Sequence, residues 1–246
     1  MLNIEAGYCS NQGDRERNED RAEILGGGRV CLVADGMGGM QGGEVASSLA
    51  VETVQRLLGA GLLATLEGEE SVYQGLRQVF SEVNQRILVA GRDALELLGM
   101  GTTLTLLLIG EERLFFAHAG DSRLYLWQEG YSEQLTEDHT QAQEFVQRGW
   151  FSPEEAMRSR NRHLLTRYLG TAGPVEPQLG TRPVQAGTRL LMCSDGLYDK
   201  VGPERLNALL ADDQPSEAVA GRLVATARGS GRTDLDNITA LVVRLG

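Results

Sequence analysis

The sequence predicts an α+β fold in which strands and helices form separate layers. Short runs rich in Leu, β-branched and aromatic residues, each bounded by Gly, Asp or Glu, predict strands. Longer blocks with apolar residues at helical spacing lie between them and do not alternate one for one with the strands. A hairpin pattern around Gly130 adds adjacent antiparallel strands. A layered fold is therefore favoured over strict βαβ alternation.

The strands are predicted from apolar runs that end at a charged residue or a glycine. A short strand is also expected directly after Asp20. The six main predicted strands are Arg29–Asp35, Thr102–Gly110, Arg113–Gly120, Ser122–Gln128, Thr188–Asp195 and Asn237–Leu245.

The helices are predicted from apolar residues that recur every three or four positions. The segment 149–177 differs, because it is rich in Arg, Asn, Pro and Gly and has weak periodicity. It predicts an irregular, partly helical excursion, a kind of segment that often forms a lid or contacts substrate. The predicted helices are Glu44–Leu58, Ser71–Val89, Ala142–Arg148, Pro203–Leu210 and Ser216–Ala227.

Length and charge limit the number of domains and the classes of partner that are plausible. The chain has 246 residues, is 41% hydrophobic and shows no linker-like composition shift, so residues 1–246 are predicted to form one domain. It carries 23 basic and 34 acidic residues, a net charge of −11, which argues against nucleic acid or an anionic membrane as a partner. A phosphorylated substrate would need local arginines or bound metal.

The compartment is predicted from the cysteines and the N-terminus. Cys9, Cys31 and Cys193 are widely spaced and form no CxxC pair, which argues against a disulfide framework. The first ten residues lack the basic start and apolar stretch of a signal peptide. The strongly apolar stretch at 104–109 is too short to cross a bilayer. We therefore expect a cytoplasmic protein, and a monomer.

Five carboxylates recur at the termini of predicted strands. Hard divalent cations such as Mg²⁺ and Mn²⁺ prefer oxygen ligands, and two of them about 3.5–4 Å apart can clamp a phosphate and activate water. Asp35 would bridge such a pair, and Gly36 would offer its carbonyl because a glycine lets the chain approach closely. The five acids are Asp20, Asp35, Asp121, Asp195 and Asp236.

Simpler interpretations exist for these motifs. A single Asp-Gly pair is a common turn. The glycine run after Asp35 could form a dinucleotide-binding loop, but the G-x-G-x-x-G template from Gly36 requires a glycine where Gln41 stands. The run also lacks the Lys-Ser/Thr ending of a P-loop.

Six motifs in order, "RERNED", "VADGMGG", "GTT", "AGDSR", "CSDG" and "DNIT", resemble the metal-dependent Ser/Thr protein phosphatases of the type 2C (PPM) family. The resemblance covers residues 7–243. It implies a four-layer αββα sandwich, with two central antiparallel sheets flanked by helices. It also implies a binuclear Mg²⁺ or Mn²⁺ centre at one end of the sandwich.

The resemblance assigns site residues by position. Arg15 matches the arginine that grips the substrate phosphate, while the nearby Arg17 has the simpler interpretation of a solvated surface charge. Segment 149–177 matches the flap beside the active site. For the metals, the resemblance implies that Asp35 bridges two ions. Asp195 and Asp236 would complete the first ion, and Asp20 and the Gly36 carbonyl would hold the second. Asp121 with Asp195 would form a weaker third site.

Two departures from the family pattern concern the general acid and the last motif. Met37 and Met40 stand where members commonly carry a histidine that is proposed to protonate the leaving group, and Leu235 replaces an arginine. Water on a metal ion is then the better candidate donor. Of the three histidines, His118 is expected in the core, His139 in a structural role and His163 in the flap.

The resemblance implies a phosphoserine/phosphothreonine phosphatase in which a metal-bridging hydroxide attacks phosphorus. Its partners would be phosphorylated proteins and an opposing Ser/Thr kinase, as for stand-alone bacterial signalling phosphatases. One alternative is a pseudophosphatase that binds phosphoproteins with little or no catalysis. Another is a phosphatase acting on anti-sigma-factor antagonists, which should come with a sensory domain.

Overall fold

The structure, a computed structural model, describes residues 2–38, 42–59, 68–231 and 233–246. The strands are β1 Ile4–Asn11, β2 Asp20–Leu25, β3 Val30–Met37, β4 Gly101–Thr102, β5 Leu104–Ile109, β6 Arg113–Ala119, β7 Arg123–Gln128, β8 Tyr131–Gln134, β9 Gln178–Pro183, β10 Arg189–Cys193 and β11 Ile238–Leu245. The helices are α1 Gly42–Gly59, α2 Glu69–Asp93, α3 Gln141–Gln147, α4 Pro153–Arg158, α5 Asp195–Tyr198, α6 Pro203–Leu210 and α7 Ser216–Arg228.

The strands form two antiparallel sheets that stack face to face. One sheet has the order β1-β11-β10-β7-β8, and the other has the order β2-β3-β5-β6-β9 with β4 paired to β3. Helices α1 and α2 cover the outer face of the second sheet, and α6 and α7 cover the outer face of the first. The predicted sandwich of two central sheets between helices is therefore confirmed.

Alternation along β3 shows how the layers are filled. Leu32 and Ala34 pack with the α1 and α2 side chains, whereas Cys31 and Val33 pack between the sheets. Successive strand residues point to opposite faces, so a strand covered on both faces can be apolar throughout. This accounts for the continuous apolar run that precedes Asp35.

The long helix α2 matches its sequence pattern closely. Its buried residues include Leu76, Val79, Phe80, Val83 and Ile87. These positions recur every three or four residues and therefore form one apolar stripe, which packs on the sheet. None of the helices among the described residues has both the length and the apolar character that a bilayer crossing requires.

Several boundaries differ from the sequence prediction. The strand that was expected to end in Asp35 continues to Met37, and Asp20 is the first residue of β2. Asp195 opens the short helix α5 instead of closing a strand. Strands β1 and β9 were not predicted, because both are half-buried edge strands with mixed polar sequences.

The flap segment, residues 149–177, contains one short helix. Helix α4 begins with a capping box, in which Ser152 and Glu155 each bond the other's backbone N–H, and Pro153 occupies its first turn. The flap then returns to the sandwich through two isolated β-bridges, Thr140 with Leu165 and Thr102 with Leu169. The expected irregular, partly helical excursion is confirmed.

Candidate active site

Sheet topology brings the predicted acids to one end of the sandwich. Neighbouring antiparallel strands place the start of one beside the end of the next, so Asp20 lies directly opposite Asp35 in the β2–β3 pair. Asp121 follows β6, Asp195 follows β10, and Asp236 precedes β11. Four of the five acids, all except Asp20, line one cleft of about 670 Å³.

Asp20 lies beneath this cleft instead of on its wall. Its side chain is 2% exposed, and its Oδ2 accepts a hydrogen bond from Ser194 Oγ at 2.7 Å. Its Oδ1 is buried and has no hydrogen-bond partner among the described residues. The preceding residue, Glu19, does line the cleft. Sequence reasoning missed Glu19, although the adjacent pair of acids in "NED" was a signal that either could face the site.

The backbone around Asp35 is fixed by the "GTT" motif. Asp35 N–H donates to Thr103 Oγ1 at 2.9 Å, and Asp35 C=O accepts from Thr102 Oγ1 at 2.9 Å and from Thr103 N–H at 2.8 Å. Thr102 and Leu169 exchange two backbone hydrogen bonds, each of 2.9 Å. The motif therefore holds the acid expected to bridge the metals and also joins it to the flap.

Gly36 is required by a close approach of two chain segments. A Cβ atom on Gly36 would lie 2.0 Å from the carbonyl oxygen of Gly43, in the first turn of α1. A Cβ atom on Gly43 would in turn lie 2.6–2.8 Å from the carboxyl group of Glu19. The absence of side chains here lets α1, β3 and the β2 entry meet beside the cleft.

The clustered acids destabilise one another's charged forms. Burial, together with the charges of Asp20 and Asp195, raises the pKa of Asp35 well above its ordinary value. Burial is also the main cause that raises the pKa of Asp20 to about 7 and that of Asp121 to about 6. Such repulsion is relieved by bound cations. The oxygen-rich donor set and the unpartnered Asp20 Oδ1 therefore fit hard divalent ions.

His163 lies in this cleft, although the sequence placed it only in the flap. Its Nδ1 is 3.2 Å from Asp195 Oδ2 and 3.7 Å from Asp121 Oδ2, and its Nε2 is 3.2 Å from Asp199 Oδ2. Hydrogen bonds to these three carboxylates raise the pKa of His163 to about 11. One ligand atom from each of Asp121, His163 and Asp195 lies within 4.8 Å of the other two, a spacing that would suit a cation only with His163 deprotonated.

The two candidate arginines differ in their partners. Arg15 lines the cleft, and its Nη2 is 2.6 Å from Asp236 Oδ2. This contact raises the pKa of Arg15. Arg17 also borders the cleft, but it pairs with Glu44 at 3.1 Å.

The other histidines are structural, as expected. His118 is fully buried, its Nδ1 lies 2.9 Å from Thr105 Oγ1, and its Nε2 lies 2.9 Å from Gly120 O. His139 stacks on His118 with ring centroids 4.9 Å apart. Met37 lines the cleft, whereas Met40, the other position considered for a general acid, lies outside the described residues.

Comparison with known families agrees with this geometry. The family described as protein phosphatase 2C matches residues 9–238. The chain belongs to the protein phosphatase 2C family. Among protein phosphatase 2C relatives, the chain is 36% identical over 234 residues to the serine/threonine phosphatase stp of Listeria monocytogenes, covering 93% of this chain and 90% of that protein.

Mycobacterial relatives extend the comparison to a metal complex. The chain is 40% identical over 233 residues to the serine/threonine protein phosphatase PstP of Mycobacterium tuberculosis, covering 93% of this chain and 42% of PstP. It also superposes on the catalytic domain of PstP in complex with 2 manganese ions, with a TM-score of 0.85, 35% identity and coverage of 100% and 99% of the two chains.

These relationships confirm the expected activity. The protein is a metal-dependent Ser/Thr protein phosphatase of the protein phosphatase 2C family, with Mn²⁺ or Mg²⁺ as its cofactor. The pseudophosphatase alternative is not favoured, because the cleft gathers oxygen donors suited to these ions.

Proposed function

We propose that residues 1–246 form one catalytic domain that removes phosphate from phosphoserine and phosphothreonine in other proteins. In this proposal the enzyme is a cytoplasmic monomer that acts in signalling and opposes a Ser/Thr kinase. The observation that carries the proposal is the gathering of oxygen donors and Arg15 in one open cleft.

The proposed metal ligands are those that the resemblance to the family implies, together with acids that line the cleft. Asp35, Asp195 and Asp236 would hold the first ion, and Asp35 and the Gly36 carbonyl would hold the second together with Asp20. Glu19 is added as a candidate for the second ion, because it lines the cleft. Asp121 with Asp195 would hold a weaker third ion. When bound, such ions lower the pKa of water and neutralise charge on the phosphoryl oxygens.

The chain's own side chains would bind and orient the phosphate. The Arg15 guanidinium can donate two parallel hydrogen bonds to phosphoryl oxygens, a geometry that lysine cannot supply. Asp236 already holds that guanidinium in the cleft. Thr102 and Thr103 fix the Asp35 backbone and so the point from which its carboxylate enters the cleft. Leu164, Leu165 and Tyr168 line the cleft on the flap side.

The test is hydrolysis of a phosphoserine peptide with Mn²⁺, with chelator, and with Mn²⁺ restored. Chelator should abolish the activity. Asp35→Asn should lower kcat/KM by about 10³-fold or more, since a bound metal supplies several kcal/mol of transition-state stabilisation. Asp93→Asn, an exposed residue at the end of α2, is the matched control and should be neutral. Full activity in excess chelator would refute the metal mechanism.

A second measurement separates Asp20 from Glu19. Calorimetric titration with Mn²⁺ of Asp20→Asn and Glu19→Gln should show which acid contributes to metal affinity. A loss of affinity in Glu19→Gln alone would remove Asp20 from the proposed ligand set.

A further inference from the structure

Positive charge is concentrated in one part of an otherwise acidic chain. Between Glu155 and Glu176 the sequence contains four arginines and His163 but no carboxylate, whereas the whole protein has a net charge of −11. This interval lies within the flap, beside the cleft. A charge distribution of this kind favours an anionic partner at the flap.

Two of the four arginines are engaged within the protein. Arg162 Nη2 is 2.6 Å from Asp199 Oδ2, and Arg167 Nη1 is 2.9 Å from His139 Nε2. Arg158 and Arg160 are exposed, and neither makes an ion pair or a side-chain hydrogen bond with any residue that the structure describes. Their guanidinium groups are therefore available to a partner.

Exposed apolar side chains accompany these two arginines. Met157 is 63% exposed and Leu164 is 54% exposed. Two large apolar side chains close in sequence to these two arginines make this surface both apolar and cationic. We call Met157, Arg158, Arg160 and Leu164 the flap rim. Its mixture of apolar and cationic groups is typical of a surface that binds a peptide.

The flap rim adjoins the cleft in which the phosphate would react. Leu164 lines the cleft, and the adjacent His163 contacts Asp195. Arg160 precedes His163 by three residues, which span at most about 11 Å of chain. An extended substrate advances roughly 3.3 Å per residue. Arg160 is therefore within reach of side chains about two to four positions from the phosphorylated residue, and Arg158 lies only two residues before Arg160.

We propose that the flap rim binds anionic side chains of the substrate that flank the phosphorylated serine or threonine. Arg158 and Arg160 would pair with carboxylates or with a second phosphoryl group, and Met157 and Leu164 would cover the aliphatic parts of the same segment. This proposal rests on the proposed function, since it assumes a protein substrate in the cleft. It makes the flap a determinant of substrate sequence.

The experiment compares kcat/KM for phosphoserine peptides that differ only at flanking positions two to four, on either side. One set carries Glu, a second carries another phosphoserine, and a third carries Gln. The unmodified enzyme should prefer an anionic set over the Gln set by about three- to tenfold at low salt, the range expected for two exposed ion pairs. Added salt should reduce the preference. The first two sets distinguish carboxylate from phosphate as the preferred anion.

Variants assign the preference to the flap rim. In Arg158→Gln/Arg160→Gln the ratio of kcat/KM between anionic and Gln peptides should fall to about one. In Arg158→Glu/Arg160→Glu the preference should turn to Lys-flanked peptides. Arg205→Gln/Arg228→Gln, which changes two exposed arginines of α6 and α7 outside the cleft lining, should keep the wild-type ratio.

The outcomes separate this proposal from the function on which it rests. If the unmodified enzyme is active on all peptides without a flanking preference, the proposal for the flap rim is wrong and the proposed function stands. Absence of activity on every peptide, with Mn²⁺ present, would overturn the proposed function. A preference that survives in both rim variants, or a rim variant inactive on every peptide, would also overturn the assignment of these two arginines.

Discussion

The acids of the cleft and the flap beside them are positioned by different kinds of contact. Asp20 and Asp35 are paired strand residues, so their separation is set by a ladder that continues into the core. The flap is joined to the sandwich by two isolated β-bridges and by side-chain contacts, among them those of Asn84, Arg162 and His163. The comparison teaches that the two acids are placed by a continuous backbone ladder, whereas the flap is placed mainly by individual side-chain contacts.

The source of the leaving-group proton tests this comparison most strongly. Met37, at the end of β3, cannot donate a proton, whereas His163, from the flap, carries one over a wide pH range. We expect slow hydrolysis of phosphoserine peptides relative to aryl phosphates, whose phenolate leaves without protonation. Met37→His should raise the phosphoserine rate by up to about 10²–10⁴-fold, the range for a positioned general acid.

The measurement is kcat across leaving groups of different pKa for the natural enzyme, Met37→His and His163→Ala. If the natural enzyme shows a flat dependence that becomes steep in His163→Ala, the flap supplies the acid. The proton would then come from the flap and not from a strand end.

Arg15, which pairs with Asp236, tests the side of the comparison that concerns the acids. Arg15→Ala should raise KM for a phosphopeptide by about 10- to 100-fold, because a charge-assisted hydrogen bond contributes roughly 1.5–3 kcal/mol. Arg15→Lys should recover only part of this loss. Arg17→Ala should change KM by about twofold, since Arg17 is an exposed residue paired with Glu44. Reversed effects for the two arginines would show that the phosphate contact has been assigned to the wrong residue.

Asn84 tests how the flap is attached. Its side chain is 5% exposed and makes four hydrogen bonds to the end of the flap, donating to Thr171 O and Gly173 O and accepting from Gly170 N and Thr171 N. Asn84→Ala should lower the free energy of unfolding by about 1–3 kcal/mol, because these groups lose their partner. Trypsin should cut the flap faster at Arg158 and Arg160. Gln74→Ala, on the exposed face of the same helix, is the control, and equal cleavage rates in both would rule out an anchoring role for Asn84.

The smallest expected effect is a dependence of metal-free stability on pH. The pKa of Asp20 is raised to about 7 and that of Asp121 to about 6, so the folded state holds protons that the unfolded state has released above about pH 4. Stability should therefore fall as pH rises from about 4 to 7. His163, with its pKa raised to about 11, extends the loss from about pH 6.5 upward.

Thermal melts of the metal-free protein between pH 5 and 8 measure this fall. The increase in Tm on adding Mn²⁺ should be larger at pH 8 than at pH 5, because the cations replace protons among the acids. A metal-free Tm that rises over this range would mean that the acids are not mutually repelling in the folded state.

Local patterns were sufficient for much of the fold. The apolar stripe of α2 and the doubly covered strand β3 follow from side-chain spacing, which depends only on neighbouring residues. The edge strands β1 and β9 have mixed polar sequences without a clear pattern. They are strands because they pair with β11 and β6, which are distant in sequence. Sequence propensity alone does not carry that information.

The site residues also divide into those that local patterns reveal and those that depend on long-range contacts. Acids at strand ends were recognisable because antiparallel strands bring their ends together. Which of Glu19 and Asp20 faces the cleft depends on the pairing of β2 with β3, and the position of His163 depends on how the flap folds back over the sandwich. Neither can be deduced from spacing in the sequence.

The contact between Gly36 and Gly43 also limits how this part of the sequence can diverge. A methyl group at either position would enter space already filled by backbone or by the Glu19 carboxyl group. Three residues from separate parts of the chain are therefore constrained jointly, and a replacement at one would need accommodating changes at the others. In a saturation library, both glycines should rank among the least tolerant positions, although neither has a side chain that could react with a substrate.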